Sequence, residues 1–389
     1  MHNKTICFII PLKNSFDAFL KELAKYLVIH KWNVYVICNT PEHKDFLEEN
    51  INFINCNIPR GANLITMLKA SYHLKKILNR INPNIVHAHF QTAILCYQIT
   101  GLVSKFKSFA TIHGAIFNSI ENKFNSFFFK KIEQFSFRKF QTIFVLNNKD
   151  FIDVKKINTK TTLYPCYGVG CNIELFDPLK FKNEDLSKLK QKYGIKNEDF
   201  VIIFVGRLVH FKGYQRVIKS FKVLNDKYSN LKLLVLGAPD PIHKSGLSED
   251  DEIYIKKNPN IIHVGLTKDV AKHFAISNLT FFPSIKEGLP VNLMESIAMN
   301  IPIVTTKSRG CDDLVSGKNI GEVVDSLEIA DYVKIISNLI DNSKILDSYK
   351  KNMLKIRNLV DRKNFILHEF NLYEKALKEK SFPNKTRPH

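Results

Sequence analysis

No apolar run in this 389-residue chain approaches the ~18–20 residues that a membrane-spanning helix needs. The seven cysteines stand singly, with no Cys-x-x-Cys pair, so they supply no metal or dithiol motif. They read as reduced thiols that serve as small hydrophobes in the cytosol. Internal repeats and low-complexity tracts are absent. Nothing at the start reads as a secretory signal. Met1-His2-Asn3-Lys4 leads straight into a strand-like run, Thr5 to Ile10, which Pro11 is expected to stop. Acidic residues nearly vanish over residues 51–149: 13 Lys/Arg face two acids, Glu121 and Glu133.

That imbalance matters more than the formal net charge of +20. A basic face has three plausible partners: nucleic acid, an anionic membrane, or a phosphorylated substrate. Base-composition drift toward Lys, Asn, Ile and Phe is the plain alternative. The hydrophobic content of 45% allows each half of the chain its own core.

Short apolar runs alternate with helical patterns throughout, which predicts an α/β fold built from βαβ units and parallel sheets. The first series of strands is expected at 5–10, 33–38, 51–54, 85–87, 108–112, 142–145 and 161–164. The second is expected at 200–205, 232–236, 261–264, 279–282 and 303–305. Helices are expected at 16–30, 64–79, 132–139, 214–227, 268–275, 293–299, 329–339 and 344–356. This organisation predicts a first domain at 1–165, a linker at 166–182 containing Gly168, Gly170 and Pro178, a second domain at 183–365, and a C-terminal helix and tail at 366–389. Open parallel sheets bind ligands beyond the carboxyl ends of their strands. Two such sheets facing across a cleft would draw their chemistry from loops of both halves.

Two loops of the second half carry charge at such strand ends. The run Val201-Ile202-Ile203-Phe204-Val205-Gly206 ends in a glycine turn, and Arg207 and Lys212 follow on the loop before a helix near Tyr214. Two cations there suit a diphosphate and stabilise the charge that grows on a departing one. In Ser284-Ile285-Lys286-Glu287-Gly288-Leu289-Pro290-Val291-Asn292-Leu293-Met294-Glu295, two glutamates stand eight positions apart. The first lies on a strand-to-helix loop and the second in the first turns of the helix. Amides at a helix start attract an anion. The loop thus offers carboxylates for hydroxyls and N–H groups for phosphate, which is what a nucleotide-activated sugar requires.

The Glu-seven-residues-Glu spacing, with Gly206-Arg207-Leu208 and Lys212-Gly213 upstream, resembles glycosyltransferase family 4, whose members are retaining enzymes of the GT-B fold. Leu236-Gly237 after a strand, Gly265 after Val264, and Thr305 to Asp313 with Gly310-Cys311 also match that family. The resemblance implies that Gly206, Arg207, Lys212 and Gly237 hold the donor diphosphate and line the nucleotide site. It implies that Glu287 grips hydroxyls of the donor sugar and Glu295 the ribose. Gly288, Leu289 and Val291 would present backbone amides. Pro290 replaces a glycine often found there and has no N–H to offer.

The first half departs from the family. Pro11-Leu12-Lys13-Asn14-Ser15-Phe16 stands where a glycine-rich loop is usual, and Ser15 is expected to cap a helix from Phe16. The departure resembles the branch that acts on lipid-linked acceptors. His113, after the strand ending in Ile112 and before Gly114, resembles the family's strand-end histidine that approaches the donor sugar. His87 and His89 end another strand and read as structural. Ile120, Phe124, Phe128, Ile132 and Phe135 fall on one helical face, with Lys123, Lys130, Lys131, Arg138 and Lys139 around it. That pattern fits either a helix packed on the sheet or one lying in an anionic bilayer surface. The basic first half favours the second.

The resemblance therefore implies a retaining transferase with Arg207, Lys212, Glu287 and His113 at its centre. Its partners would be a UDP-sugar donor, with a leaning to N-acetylhexosamine and N-acetylgalactosamine within that class, and a polyprenyl-diphosphate-linked glycan acceptor. It would work in surface-polysaccharide (O-antigen or capsule) or glycan synthesis. It would sit in the cytoplasm, on the cytoplasmic face of the inner membrane, without a metal or other cofactor. The rival readings are a nucleotide-sugar epimerase, a sugar phosphorylase or another enzyme of the same architecture, or a nucleic-acid-binding protein. The last lacks a stacking motif and gives no reason for the glutamate loop.

Overall fold

Residues 4–59, 61, 63–114, 123–241 and 243–379 are described by a computed structural model of the chain. They form two compact units. One comprises Met1–Leu146, Asp150–Tyr164 and Asn364–His389, and the other Asn147–Lys149 and Pro165–Lys363.

The first unit contains β1 (Lys4–Leu12), β2 (Trp32–Asn39), β3 (Phe46–Glu48), β4 (Ile51–Asn55), β5 (Ile85–His89), β6 (Lys107–Ile112), β7 (Thr142–Val145) and β8 (Thr161–Leu163). Their order in the sheet is β3-β4-β2-β1-β5-β6-β7-β8. All neighbours are parallel except the β3–β4 edge pair. Ile6, Cys7, Phe8, Ile9 and Ile10 of β1 are fully buried, as a central parallel strand covered on both faces requires. Pro11 does not stop β1. The pairing with β2 runs to Leu12 across a register shift after Ile9, and the proline sits inside that irregularity. Ser15 caps nothing, because the following helix starts earlier, at Lys13, with Leu12 at its N-cap position. The single helix expected over 16–30 is two, Lys13–Phe19 and Lys21–Ile29.

The helix Leu64–Ile81 packs Met67, Ala70, Leu74, Ile77 and Leu78 inward and leaves Leu64, Ile65, Leu68 and Tyr72 exposed. It carries no acidic residue, and the Lys76 ammonium lies 4.4 Å from the Tyr72 ring. The helix Lys123–Ser136 exposes Phe127 and Phe135 beside exposed Lys130 and Lys131, and its one acid, Glu133, is buried. Of the face expected here, Ile120 lies outside the described residues, as do the side chains of Phe124 and Phe128, and Ile132 is half-buried. No helix among the described residues is long and apolar enough to cross a membrane.

The second unit contains β9 (Phe200–Val205), β10 (Leu231–Leu236), β11 (Ile261–Gly265), β12 (Leu279–Phe282), β13 (Ile303–Thr306) and β14 (Gly321–Val324). Their order, β11-β10-β9-β12-β13-β14, is the doubly wound order of a Rossmann-like sheet, and every neighbour is parallel. Val201 to Phe204 and Leu233 to Leu236 are buried runs that stack in register as Ile202↔Leu233 and Phe204↔Val235. The helix Tyr214–Lys227 buries Tyr214, Val217, Ile218, Phe221 and Leu224, the three-and-four spacing of a core-facing stripe. Chain order reverses between β9 and β12, so the loops after these two strands flank the topological switch point. In such sheets that is where ligands bind.

Candidate active site

Both charged loops of the second unit start from the switch-point strands. After β9, Gly206-Arg207 leads to a short 3-10 turn, His210–Lys212, and then to Gly213 in the left-handed region (φ +83°). A Cβ on Gly213 would lie 2.2 Å from the Pro283 carbonyl oxygen, so only glycine lets the β9 loop close on the β12 loop. The Ile285 amide donates to the Phe211 carbonyl at 2.9 Å and ties the loops together. Gly237, at the end of β10, is equally constrained. Its Cβ would sit 1.9 Å from the Gly206 carbonyl oxygen.

This closure brings Lys212 and Glu287, 75 positions apart, into one ion pair. The Lys212 ammonium lies 2.6 Å from Oε1 and 2.7 Å from Oε2 of Glu287. The Ser284 hydroxyl donates to Glu287 Oε1 at 2.6 Å. The side chains are 19% and 7% exposed, so water screens the pair weakly. With three hydrogen bonds from two donor groups on it, the Glu287 carboxylate is fixed in place and has little accepting capacity left.

Arg207 lies on the same loop but is held elsewhere. Its guanidinium pairs with Asp240 Oδ2 at 2.5 Å and stacks 5.4 Å from the Phe211 ring, with the side chain 45% exposed. Glu295 belongs to the helix Val291–Ala298, which starts two residues earlier than the expected Leu293 because Pro290 is its N-cap. Proline suits the start of a helix, where the missing N–H is not needed. Gly288 and Leu289 form the turn before it, and the Gly288 carbonyl accepts from Asn147 Nδ2 at 2.8 Å. The Glu295 side chain is half-buried with its carboxyl enclosed. Desolvation pushes its pKa up to about 7, against the pull of Arg362.

Four neighbours of these groups escaped the sequence reading. Asp240 and Asn147 are distant in the chain from the residues they touch, Arg362 is distant from the Glu295 whose charge it favours, and none of the three belongs to a charged motif. Ser284 stands three positions before Glu287 on the same loop, and that spacing was a usable signal. Among the described residues no three His, Cys, Asp or Glu side chains are grouped as a metal site.

Two family models match the chain, "Glycosyl transferase 4-like" over residues 5–147 and "Glycosyl transferases group 1" over residues 185–355. The chain belongs to glycosyltransferase family 4. Its similarity to the Staphylococcus aureus capsular polysaccharide biosynthesis glycosyltransferase CapM is 30% identity over 43% of this chain, which spans only 44% of CapM. Two relatives align along nearly their whole length. The Escherichia coli UDP-Gal:α-D-GlcNAc-diphosphoundecaprenol α-1,3-galactosyltransferase is 22% identical over 96% of this chain and 94% of its own. The Campylobacter jejuni N,N'-diacetylbacillosaminyl-diphospho-undecaprenol α-1,3-N-acetylgalactosaminyltransferase is 22% identical over 92% of this chain and 96% of its own. Solved structures show the same fold. A glycosyltransferase from Rickettsia africae has a TM-score of 0.77 at 18% identity, covering 98% of this chain and all of that one. Anabaena HepE in complex with UDP has a TM-score of 0.74 at 15% identity, covering 96% of this chain and all of that one. The fold of this glycosyltransferase is thus GT-B, with two Rossmann-like sheets.

In the first unit, His113 follows β6 and stacks on Phe90, with ring centroids 4.2 Å apart at 14°. Burial pushes its pKa down to about 3, so the ring is neutral near pH 7. Behind it lies a buried polar network in which His87 bonds Thr111 Oγ1 at 2.8 Å and the Tyr373 hydroxyl at 2.7 Å. Glu369 lies 3.3 Å from His87 Nδ1 and accepts from Tyr373. Desolvation alone would raise the Glu369 pKa. Hydrogen bonds from His368, His87 and Tyr373 outweigh it and bring the value down to about 2.

Proposed function

We propose that this chain transfers a sugar, with retention of anomeric configuration, from a UDP-sugar to a polyprenyl-diphosphate-linked acceptor in surface-polysaccharide or glycan synthesis. The observation that carries the reading is the Lys212–Glu287 pair at the switch point between β9 and β12. A partly exposed cation beside a buried carboxylate offers one group for a diphosphate and one for sugar hydroxyls. When the donor binds, the Lys212 ammonium shares its hydrogen bonds with the diphosphate. That frees lone pairs of Glu287 for the sugar.

The bond from the anomeric carbon to the leaving phosphate oxygen breaks toward an oxocarbenium-like state. Lys212, joined by Arg207 once its guanidinium turns from Asp240 to the donor, takes up the charge that grows on the diphosphate. The acceptor hydroxyl enters from the same face, and a donor phosphate oxygen receives its proton, so no side chain has to act as base. Glu295 binds the ribose hydroxyls. The amides of Gly288, Leu289 and Val291, with the start of the helix Val291–Ala298, meet the sugar and phosphate. Gly206 and Gly237 keep the wall of the nucleotide site free of side chains. His113 supplies a hydrogen bond to the donor sugar. The cations and helix start carry the charge that a metal carries in other transferases, so this chemistry runs without one.

The nucleotide is read as UDP from HepE and the E. coli relative, and the acceptor class from the E. coli and C. jejuni relatives. An N-acetylhexosamine, in particular N-acetylgalactosamine, is the favoured sugar, in line with the C. jejuni relative. An anionic inner-membrane surface, approached from the cytoplasmic side, is the matching location. The exposed apolar residues of Leu64–Ile81 and Lys123–Ser136, set among lysines and no exposed acid, support it.

The test is a panel of nucleotide sugars incubated with synthetic lipid-diphosphate acceptors, read by mass. One donor should add a single sugar to the acceptor, and Glu287→Gln should abolish the product. Epimerised free nucleotide sugar, or cleavage that needs inorganic phosphate, would replace this reading with another enzyme of the same architecture.

A further inference from the structure

The corner between β5 and the helix Gln91–Ile99 grips His113 and Gly114 with three consecutive residues. His89 Nδ1 lies 3.3 Å from His113 Nε2. The Phe90 ring stacks on the His113 ring, and the Gln91 amide donates to the Gly114 carbonyl. To make this grip, Phe90 adopts φ +70° and ψ 148°, a region nearly reserved for glycine. The Phe90 amide donates to the Thr111 carbonyl at 3.1 Å, which fastens the corner to β6. Strain of this kind persists only where the surroundings impose it, and here its result is a fixed His113 ring.

His89 is 1% exposed. Its Nε2 is buried and has no hydrogen-bond partner among the described residues. Burial lowers the pKa of both rings, so each is neutral, with one N–H and one lone pair. A single proton lies between His89 Nδ1 and His113 Nε2. If His113 donated it, the buried Nε2 of His89 would carry an orphaned N–H. If His89 donates it, the orphan is only a lone pair. Orphaned buried N–H groups are the rarer of the two. The ring of His89 is itself held from behind by His87, stacked at 4.2 Å with both nitrogens bonded.

We propose that His89 is a positioning residue that donates to His113 Nε2 and so forces the His113 proton onto Nδ1. His113 then meets a ligand as a neutral Nδ1–H donor, suited to a sugar hydroxyl or a phosphate oxygen. The use made of that donor rests on the glycosyl-transfer reading above. The tautomer itself does not.

The experiment is a two-bond ¹H–¹⁵N correlation spectrum of the full chain labelled in histidine, without substrate. His113 should show a bare Nε2 and a protonated Nδ1. His89→Phe, which keeps a ring but has no donor, should return His113 to the Nε2–H form usual in water. His89→Asn, whose amide nitrogen stands near the place of Nδ1, should restore the Nδ1–H form. In the transfer assay His89→Phe should lower kcat about tenfold, the loss of one neutral hydrogen bond in the transition state, with the donor KM little changed. His89→Asn should recover most of it. An Nε2–H His113 in the wild-type spectrum overturns the proposal, as does a tautomer indifferent to His89→Phe. A normal kcat in His113→Ala would instead remove His113 from the transfer mechanism and leave the tautomer result standing.

Discussion

Replacing Lys212 by methionine keeps the aliphatic stem and removes the ammonium. Glu287, only 7% exposed on its side chain, is left with Ser284 as its remaining side-chain donor. Breaking a fully buried pair from one side costs about 3–5 kcal/mol. Lys212 is 19% exposed and water can follow the vacated ammonium, so about 2–3 kcal/mol is expected here. In a unit of this size that lowers the melting temperature by about 4–12 °C. The same change should cut the single-turnover rate with saturating donor by about 10²–10³, the size of one lost preorganised electrostatic donor. The two effects separate in the double variant. Lys212→Met with Glu287→Gln removes the unpaired charge, so stability should return to within about 1 kcal/mol of wild type while activity stays lost. Thermal unfolding and rapid-quench donor cleavage measure the two quantities. The reasoning fails if Lys212→Met melts like wild type and cleaves donor at a normal rate, or if the double variant regains activity.

Glu295, with its pKa raised to about 7, is a carboxyl whose ionisation the fold opposes. Its burial costs nothing below about pH 4.5 and at most about 3 kcal/mol above pH 7, so Glu295→Gln should stabilise the protein at pH 8 and not at pH 4 in urea unfolding. Glu369 has the opposite sign, with its pKa lowered to about 2. Its contribution is complete above about pH 4.5 and is lost as the pH falls through about 2, so Glu369→Gln should cost about 2–3 kcal/mol at pH 7 and progressively less in acid. For the membrane reading, sedimentation with anionic vesicles should carry the protein down at low salt. Leu64→Glu with Leu68→Glu should weaken that binding at least about tenfold, since each leucine contributes about 1.5 kcal/mol or more on burial. Equal sedimentation of the variant would remove this helix from the lipid surface.

Much of this architecture was legible because buried parallel strands are continuous apolar runs. The bounds of β9 and β12 match the expected ones at both ends, and so do those of the helix Tyr214–Lys227. The misses have physical causes. β3 is a three-residue antiparallel edge, too short to show a period, and β14 starts at a glycine. Pro11 misled because a register shift accommodates it inside β1. The helix Gln91–Ile99 is apolar through its middle, with its polar residues Gln91, Thr92 and Gln98 near its ends, so it shows little periodicity next to β5. In the candidate site, Lys212 and Glu287 were found through their motifs. Their direct pairing was not foreseen, because the sequence reading set the cation toward phosphate and the carboxylate toward hydroxyls. Arg207 was expected beside Lys212, but its partner Asp240 sits 33 positions on with nothing in the chain to link them. The role argued for His89 was equally hidden. A strand-end histidine reads as structural until its unpartnered nitrogen and its neighbour His113 are seen together.

The central claim is that Lys212, held by Glu287, receives the donor's diphosphate. Titration calorimetry of UDP and of uridine into wild type and Lys212→Met tests it most directly. UDP affinity should fall at least about tenfold in the variant, a loss of about 1.4 kcal/mol or more, while uridine binding stays unchanged. Equal UDP affinity in the two proteins would contradict the account.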